Sequence, residues 1–159
     1  MIVYHGSYCT IENPDVSHSR RNLDFGTGFY LTDIKDQAKI WAERYSKNNK
    51  QSILNIYNFD FEAVRENYKV KIFPEHNQEW LDFILSCRQG QSSDEYDVII
   101  GGIANDRVYD TLELYLDNLI DRKEAIKRLQ YHKPNNQICI VRQDIIENHL
   151  SFISSETNY

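Results

Sequence analysis

The chain has 159 residues, 41% hydrophobic and 26% charged, which suits one soluble domain with a proper core and is too little for two. A net charge of −6, from 18 basic and 24 acidic residues, argues against general nucleic-acid binding, which wants a basic face. No apolar stretch approaches the roughly 20 residues that cross a bilayer, so no membrane segment is expected.

In chain order, residues 1–4 form an apolar run that reads as a short strand stopping at His5-Gly6. Residues 7–24 are polar, hold Pro14 and read as a loop. Residues 29–32 are a second short strand, entered through Phe25-Gly26-Thr27-Gly28. Then the period changes: Ile34, Ala38, Trp41 and Tyr45 recur on one helical face, with Thr32 or Asp33 as the cap and Asn48-Asn49 as the stop. Residues 52–59 alternate as a strand, and residues 70–73 make a shorter one.

After Pro74, the stripe Trp80, Phe83, Ile84 and Cys87 predicts a second helix, followed by a polar loop at 89–95. Residues 97–100 are a buried strand leading into Gly101-Gly102. Val108, Leu112, Tyr115 and Leu119 predict a third helix starting near Asn105 or Asp106. Asp121-Arg122-Lys123-Glu124 opens a fourth, through Leu129, in a pattern like a capping box. Strands follow at 137–141 and 150–153, and residues 154–159 are expected to fray. Strands and helices interleave without regular alternation, so the fold class is α+β, with one domain at residues 1–153 and a tail at 154–159.

Several chemistries can be set aside. Cys9, Cys87 and Cys139 are scattered and odd in number, so buried free thiols in a reducing cytoplasm are expected. His5, His18, His76, His132 and His149 lack metal-binding spacing, so no metal is predicted. The N-terminal residues lack a signal-peptide pattern. Ser7 near His5 lacks a nucleophile elbow. Gly101-Gly102 before a helix lacks the lysine and hydroxyl of a P-loop.

What remains is His5-Gly6 at a strand end and Gly26-Thr27-Gly28-Phe29-Tyr30. Glycines let a ligand approach the backbone, a tyrosine offers a stacking face, and an imidazole can bond a sugar hydroxyl. Each piece alone also reads blandly: a tight turn entering a core strand, and a rim histidine.

Jointly, His5-Gly6, Phe25-Gly26-Thr27-Gly28-Phe29-Tyr30 and a second aromatic eleven residues on, Trp41, resemble the ADP-ribosyltransferase superfamily. The closer branch is that of the poly-ADP-ribose polymerases and diphtheria-type toxins, with its His-Tyr-Glu signature. The whole chain is also similar to a family of small bacterial proteins of unknown function assigned to that superfamily. The resemblance implies a split pair of β-sheets around a cleft for NAD, used as co-substrate. It places His5 on the adenosine-ribose 2′-hydroxyl, the Gly6 backbone on the carboxamide, and Tyr30 and Trp41 about the nicotinamide ring. Gly28 would let NAD approach, and Arg21 could pair with the pyrophosphate.

The third signature position falls on Gln137, where the family has glutamate. Glutamine keeps a hydrogen bond to the ribose but carries no charge and cannot serve as a base. A hydrogen bond to a charged group is worth about 1.5–3 kcal/mol against roughly 1 for a neutral one. Chain elongation is thereby disfavoured and single transfer left open; Asp106 is a speculative substitute base. The implied function is a mono-ADP-ribosyltransferase of a bacterial cytoplasm. Its acceptor would be a protein or nucleic acid, and its role that of a toxin or defence effector, with an antitoxin or other partner protein. The alternatives are a non-catalytic NAD or ADP-ribose-binding module, an RNA 2′-phosphotransferase and a purely structural domain.

Overall fold

The computed structural model describes residues 1–104, 106–129 and 135–157, and of Asp106 and Tyr109 the backbone only. Strands β1 (Ile2–Ser7), β3 (Ile53–Phe59) and β7 (Leu150–Thr157) pair antiparallel, with β3 central. A second sheet holds β2 (Phe29–Leu31), β6 (Gln137–Ile140), β5 (Val98–Gly101) and β4 (Val70–Ile72) in that spatial order, and its β4–β5 pair is parallel. Around them lie α1 (Lys35–Ser46), α2 (Phe61–Asn67), α3 (Gln78–Arg88), α4 (Asp106–Leu116), α5 (Arg122–Leu129) and α6 (Gln143–His149). The fold of the described residues is therefore α+β.

The two sheets meet edge to edge at a single bridge among the described residues. Tyr4 N–H donates to Thr32 O at 2.8 Å and Thr32 N–H to Tyr4 O at 3.0 Å. Beyond it β1 and β2 part. Both faces of the second sheet are covered, because alternate side chains enter different cores. Ile99 and Cys139 join Trp80, Leu81 and Ile84 of α3, Val108 and Leu112 of α4 and Leu129 of α5. Val98, Ile138 and Ile140 join Val3, Phe29, Tyr57, Phe59 and Ile145 on the other side. Each such side chain contributes about 1.5–3 kcal/mol by leaving water.

Helix starts follow ordinary capping. Asn77 Oδ1 accepts from Trp80 N–H at 3.1 Å, and Asp121 Oδ1 from Glu124 N–H at 2.8 Å, as the capping pattern predicts. At α1 neither Thr32 nor Asp33 is the cap; Ile34 is, without a side-chain bond.

Several expectations need correction. β1 does not stop before His5 but carries His5 and Gly6 within it to Ser7, because each keeps a partner on β3. Helices α2 and α6 lie where none was expected; each is seven residues long, too short for a periodic stripe. Residues 154–157 are strand rather than frayed tail, since Ser154, Ser155, Glu156 and Thr157 pair with β3. Leu119 is not on α4: the helix ends at Leu116, Asn118 turns left-handed (φ 57), and Leu119 is 68% exposed. Cys9 is exposed, while Cys87 and Cys139 are buried. Asn105 and His132 lie outside the described residues.

The buried line of α1 is also narrower than predicted. It is Ala38 and Ala42, while Ile34, Ile40 and Trp41 face outward. The reason is Gly6. A Cβ at that position would overlap the Ala38 carbonyl oxygen and come to 2.7 Å from Ala42 N, so α1 lies directly on the β1 backbone. Gly6→Ala should therefore destabilise the protein by about 1–3 kcal/mol, the usual cost of overpacking against atoms that cannot give. Urea-unfolding midpoints of the two proteins measure it.

Candidate functional site

Where β1 and β2 separate, a side chain takes over from the backbone ladder. His5 Nδ1 lies 2.7 Å from the Tyr30 carbonyl oxygen, and the imidazole stacks on Phe29 with ring centroids 4.6 Å apart. A carbonyl only accepts, so Nδ1 carries the hydrogen and Nε2 of the neutral ring is an acceptor. Among the described residues no side chain bonds Nε2. Packing around the ring lowers the His5 pKa, against the opposing effect of the Tyr30 carbonyl.

Tyr30 is organised differently from the sequence expectation. Its hydroxyl donates to Gly26 O at 2.6 Å and accepts from Phe25 N–H at 3.1 Å. The phenol thus clamps the turn that precedes its own strand. Gly26 adopts φ +77, which L side chains seldom tolerate, and its N–H donates to Leu23 O at 3.0 Å. Burial pushes the Tyr30 phenol far above its ordinary value, with Cys139 and Asp24 nearby adding to the shift. The hydroxyl is a structural tie and not a free acid or base. Gly28 is required for closeness: a Cβ there would overlap Cys139 Sγ and sit 2.7 Å from Ile140 O.

Gln137 opens β6 two residues before Cys139, the cross-strand partner of Tyr30, so Gln137 and Tyr30 address the same face of the sheet. Its Nε2 donates to Asp24 Oδ2 at 3.2 Å and approaches Gly102 O at 3.4 Å. Asn136 beside it is stitched to α1: Gln37 Nε2 donates to Asn136 O at 2.6 Å, and Asn136 N–H to Gln37 Oε1 at 3.2 Å.

Asp24 was not singled out by sequence reasoning. It is buried in an ion pair with Arg88 at the end of α3: Nε and Nη2 both donate to Oδ1, the former at 3.0 Å. Oδ2 accepts from Ala104 N–H at 3.0 Å as well as from Gln137. An acid beside a buried Phe-Gly, and an arginine closing an apolar helical stripe, were the available signals. Nothing in the sequence pairs them. Asn55 was missed too: it is fully buried in β3, accepts from Ile11 N–H at 2.9 Å and donates to Cys9 O at 3.1 Å, holding down the segment after β1.

The remaining predicted residues stand apart. Trp41 is 44% exposed, with the Arg44 guanidinium 4.4 Å over its ring, and no ring contact joins it to Tyr30 among the described residues. His5 likewise meets Tyr30 through the carbonyl and stacks on Phe29, whose side chain leaves β2 on the opposite face from the phenol. Arg21 is exposed on the wall of a cavity of about 380 Å³ shared with Asn22, Gly26, Thr27, Cys87 and residues 90–94. His5, Tyr30 and Gln137 do not line that cavity. The strand ends of β1 and β6, where His5 Nε2 and Gln137 Oε1 accept no side-chain bond among the described residues, are a place separate from this cavity. Cys87 and Cys139 are poor nucleophiles: burial raises their thiols to about 11 and about 12. The Asp106 side chain lies outside the described residues.

The chain belongs to a family described as proteins of unknown function, DUF3990, and the match spans residues 1–152. No curated protein and no solved structure matches it. No helix among the described residues is long and apolar enough to cross a membrane.

Two outcomes follow from the geometry. Tyr30→Phe leaves the Gly26 carbonyl and Phe25 N–H without their partner, so stability should fall by about 1–3 kcal/mol; calorimetric unfolding reads it. For His5 the folded pKa lies below the ordinary 6.5. The unfolded chain then takes up a proton first, so this contribution to stability is present above that value and is lost as pH falls through it toward the folded pKa. Urea midpoints should therefore drop between about pH 7.5 and about pH 5.5, and by less in His5→Gln.

Proposed function

We propose that the protein is an NAD-dependent mono-ADP-ribosyltransferase-like enzyme, with its nicotinamide site where β1 and β2 part. One observation carries the reading. The imidazole of His5 is held by the Tyr30 carbonyl in the tautomer that leaves Nε2 as an acceptor, beside a glycine whose backbone lies under α1. That is the arrangement a ribose hydroxyl would use, and it links the His5-Gly6 and Gly26-to-Tyr30 segments that carry the resemblance. The meeting of two sheets at one bridge among the described residues is consistent with the split core of the ADP-ribosyltransferase superfamily. Gln137 at the opening of β6, on the face of Tyr30 and not of His5, supports a contact to the second, nicotinamide-side ribose.

In the reaction the bond between ribose C1′ and the nicotinamide nitrogen breaks, and nicotinamide leaves with the electron pair. The resulting oxocarbenium-like sugar is captured by a nucleophile of the acceptor, which loses its proton. His5 Nε2 and Gln137 would orient the two riboses. Gly6 would hold the carboxamide, and the Tyr30 ring, not its tied hydroxyl, would bound the nicotinamide. Arg21 would meet the pyrophosphate, and Trp41 would close over the ring. An acceptor protein or nucleic acid and a toxin or defence role belong to the same proposal, as does regulation by a partner protein.

A second reading has its own support. The Gln137 amide nitrogen is occupied by Asp24 and Gly102, so position 137 brings no base to the sugar. A module that binds NAD or ADP-ribose without turning it over needs none.

Calorimetric titration with NAD, combined with mass spectrometry of free nicotinamide after incubation with cell lysate, separates the two. Binding with nicotinamide release supports the enzyme, and binding without release in any lysate supports the module. Absence of NAD binding removes both. Trp41→Ala should weaken NAD binding tenfold or more, since base–aromatic stacking is worth about 1–3 kcal/mol. Because Trp41 lies on the outer face of α1 and its ring contact among the described residues is the Arg44 guanidinium, the same change should leave stability within about 0.5 kcal/mol.

A further inference from the structure

The surroundings of Asp24 are made of donors. Arg88 supplies Nε and Nη2 to one carboxylate oxygen, and Ala104 N–H and Gln137 Nε2 go to the other. A carboxylate accepts at about four lone-pair sites, and here four donors reach it. Arg88 balances its charge within the fold, the two side chains being 13% and 10% exposed. The tie spans four segments: the turn before β2, the end of α3, the approach to α4 and the start of β6.

This geometry decides which way the Gln137 amide faces. Rotated by half a turn, its oxygen would confront Asp24 Oδ2 at 3.2 Å and the Gly102 carbonyl at 3.4 Å, acceptor against acceptor. The nitrogen must therefore face inward and Oε1 away. No hydrogen bond to Oε1 is found among the described residues, and no buried side-chain polar atom lacks a partner there. Oε1 accordingly belongs to the 8% of Gln137 that remains accessible.

We propose that Asp24 is a positioning residue that makes glutamine the matched side chain at 137. It holds the amide so that a neutral carbonyl oxygen, rather than a charged carboxylate, is offered to a hydroxyl of the bound ligand. That the ligand is NAD and the hydroxyl a ribose one rests on the proposed function; the pairing of residues 24 and 137 does not. Glutamate at 137 would set a second carboxylate against Asp24 and the Gly102 carbonyl. It is tolerated there only as the protonated acid, whose hydroxyl then donates to Asp24.

Besides Gln137, the charged and titratable groups that face Asp24 among the described residues are Arg88 from α3, Tyr30 from β2 and Cys87 from α3. Arg88 keeps its charge, while the Tyr30 phenol and the Cys87 thiol, both shifted upward, stay neutral up to about pH 8. None of these three changes state from about pH 5 to about pH 8, the window in which a glutamate held beside Asp24 must ionise, and His76, which lies against Gly102, is common to every variant compared. The folded pKa of such a glutamate is raised above its unfolded value. The stability of Gln137→Glu is thus full at low pH and lost as pH rises.

The test is thermal unfolding of the unaltered protein, Gln137→Glu and Gln137→Met across that window, with NAD titrations at its upper end. The expected result for Gln137→Glu is a melting temperature near that of the unaltered protein at the acid end, falling behind it by roughly 5 °C or more at the alkaline end. Gln137→Met should show an offset that does not change with pH, and should bind NAD at least tenfold more weakly because it has no acceptor. A constant offset between Gln137→Glu and the unaltered protein over the whole window would overturn the proposal. So would undiminished NAD affinity in Gln137→Met. If the unaltered protein binds no NAD, the proposed function fails, and the pH dependence of the melts still decides whether Asp24 dictates residue 137.

Discussion

Two backbone hydrogen bonds, between Tyr4 and Thr32, are where the two sheets join among the described residues. Everything at the candidate site depends on what happens one residue further along. β1 stays paired to β3 through Ser7, and β2 stays paired to β6 from Phe29, so neither strand can follow the other once they diverge. The polar groups left at the opening need partners, since an unpaired buried carbonyl is costly. The His5 imidazole supplies one for Tyr30 O. The same constraint sets the imidazole against the Tyr30 carbonyl and fixes its tautomer.

Close backbone approach sustains that arrangement from both sides. Gly6 lets α1 rest on β1, and Gly28 lets the strand entering β2 rest on β6. The Tyr30 phenol then locks the turn at Phe25 and Gly26 from within. The aromatic and glycine residues of the candidate site are therefore also the ones that shape the local fold. In Tyr30 different atoms serve different ends: the phenol oxygen ties the turn, and the ring packs against the core that holds Phe25 and Cys139.

The elements themselves were largely legible in the chain. The α1 and α3 helices, the β3 strand and the Asp121 cap each rest on interactions within a few residues, and each is present, although the predicted α1 stripe gives way to Ala38 and Ala42 and β3 is buried on both faces over Ile53–Asn55. The failures have a common cause. α2 buries a single residue, Val64, and α6 only Ile145 and Ile146, so neither leaves a periodic trace. The Ser-Ser-Glu-Thr end of β7 has little strand propensity of its own and becomes strand because β3 offers it a paired edge.

At the site the division is sharper. Residue identity and spacing marked His5, Gly6, Gly28, Tyr30 and Gln137 as the positions to watch, because histidine, glycine, tyrosine and glutamine have chemistries that can be named in isolation. Their orientation was decided by tertiary structure. The phenol turned inward to its own glycine turn, Trp41 turned outward because only alanines fit against Gly6, and Gln137 found Asp24 across 113 positions of chain. Local sequence determines what a residue can donate, accept or stack. Which partner it meets depends on contacts between distant segments, and those exist only once the sheets and helices have closed on each other.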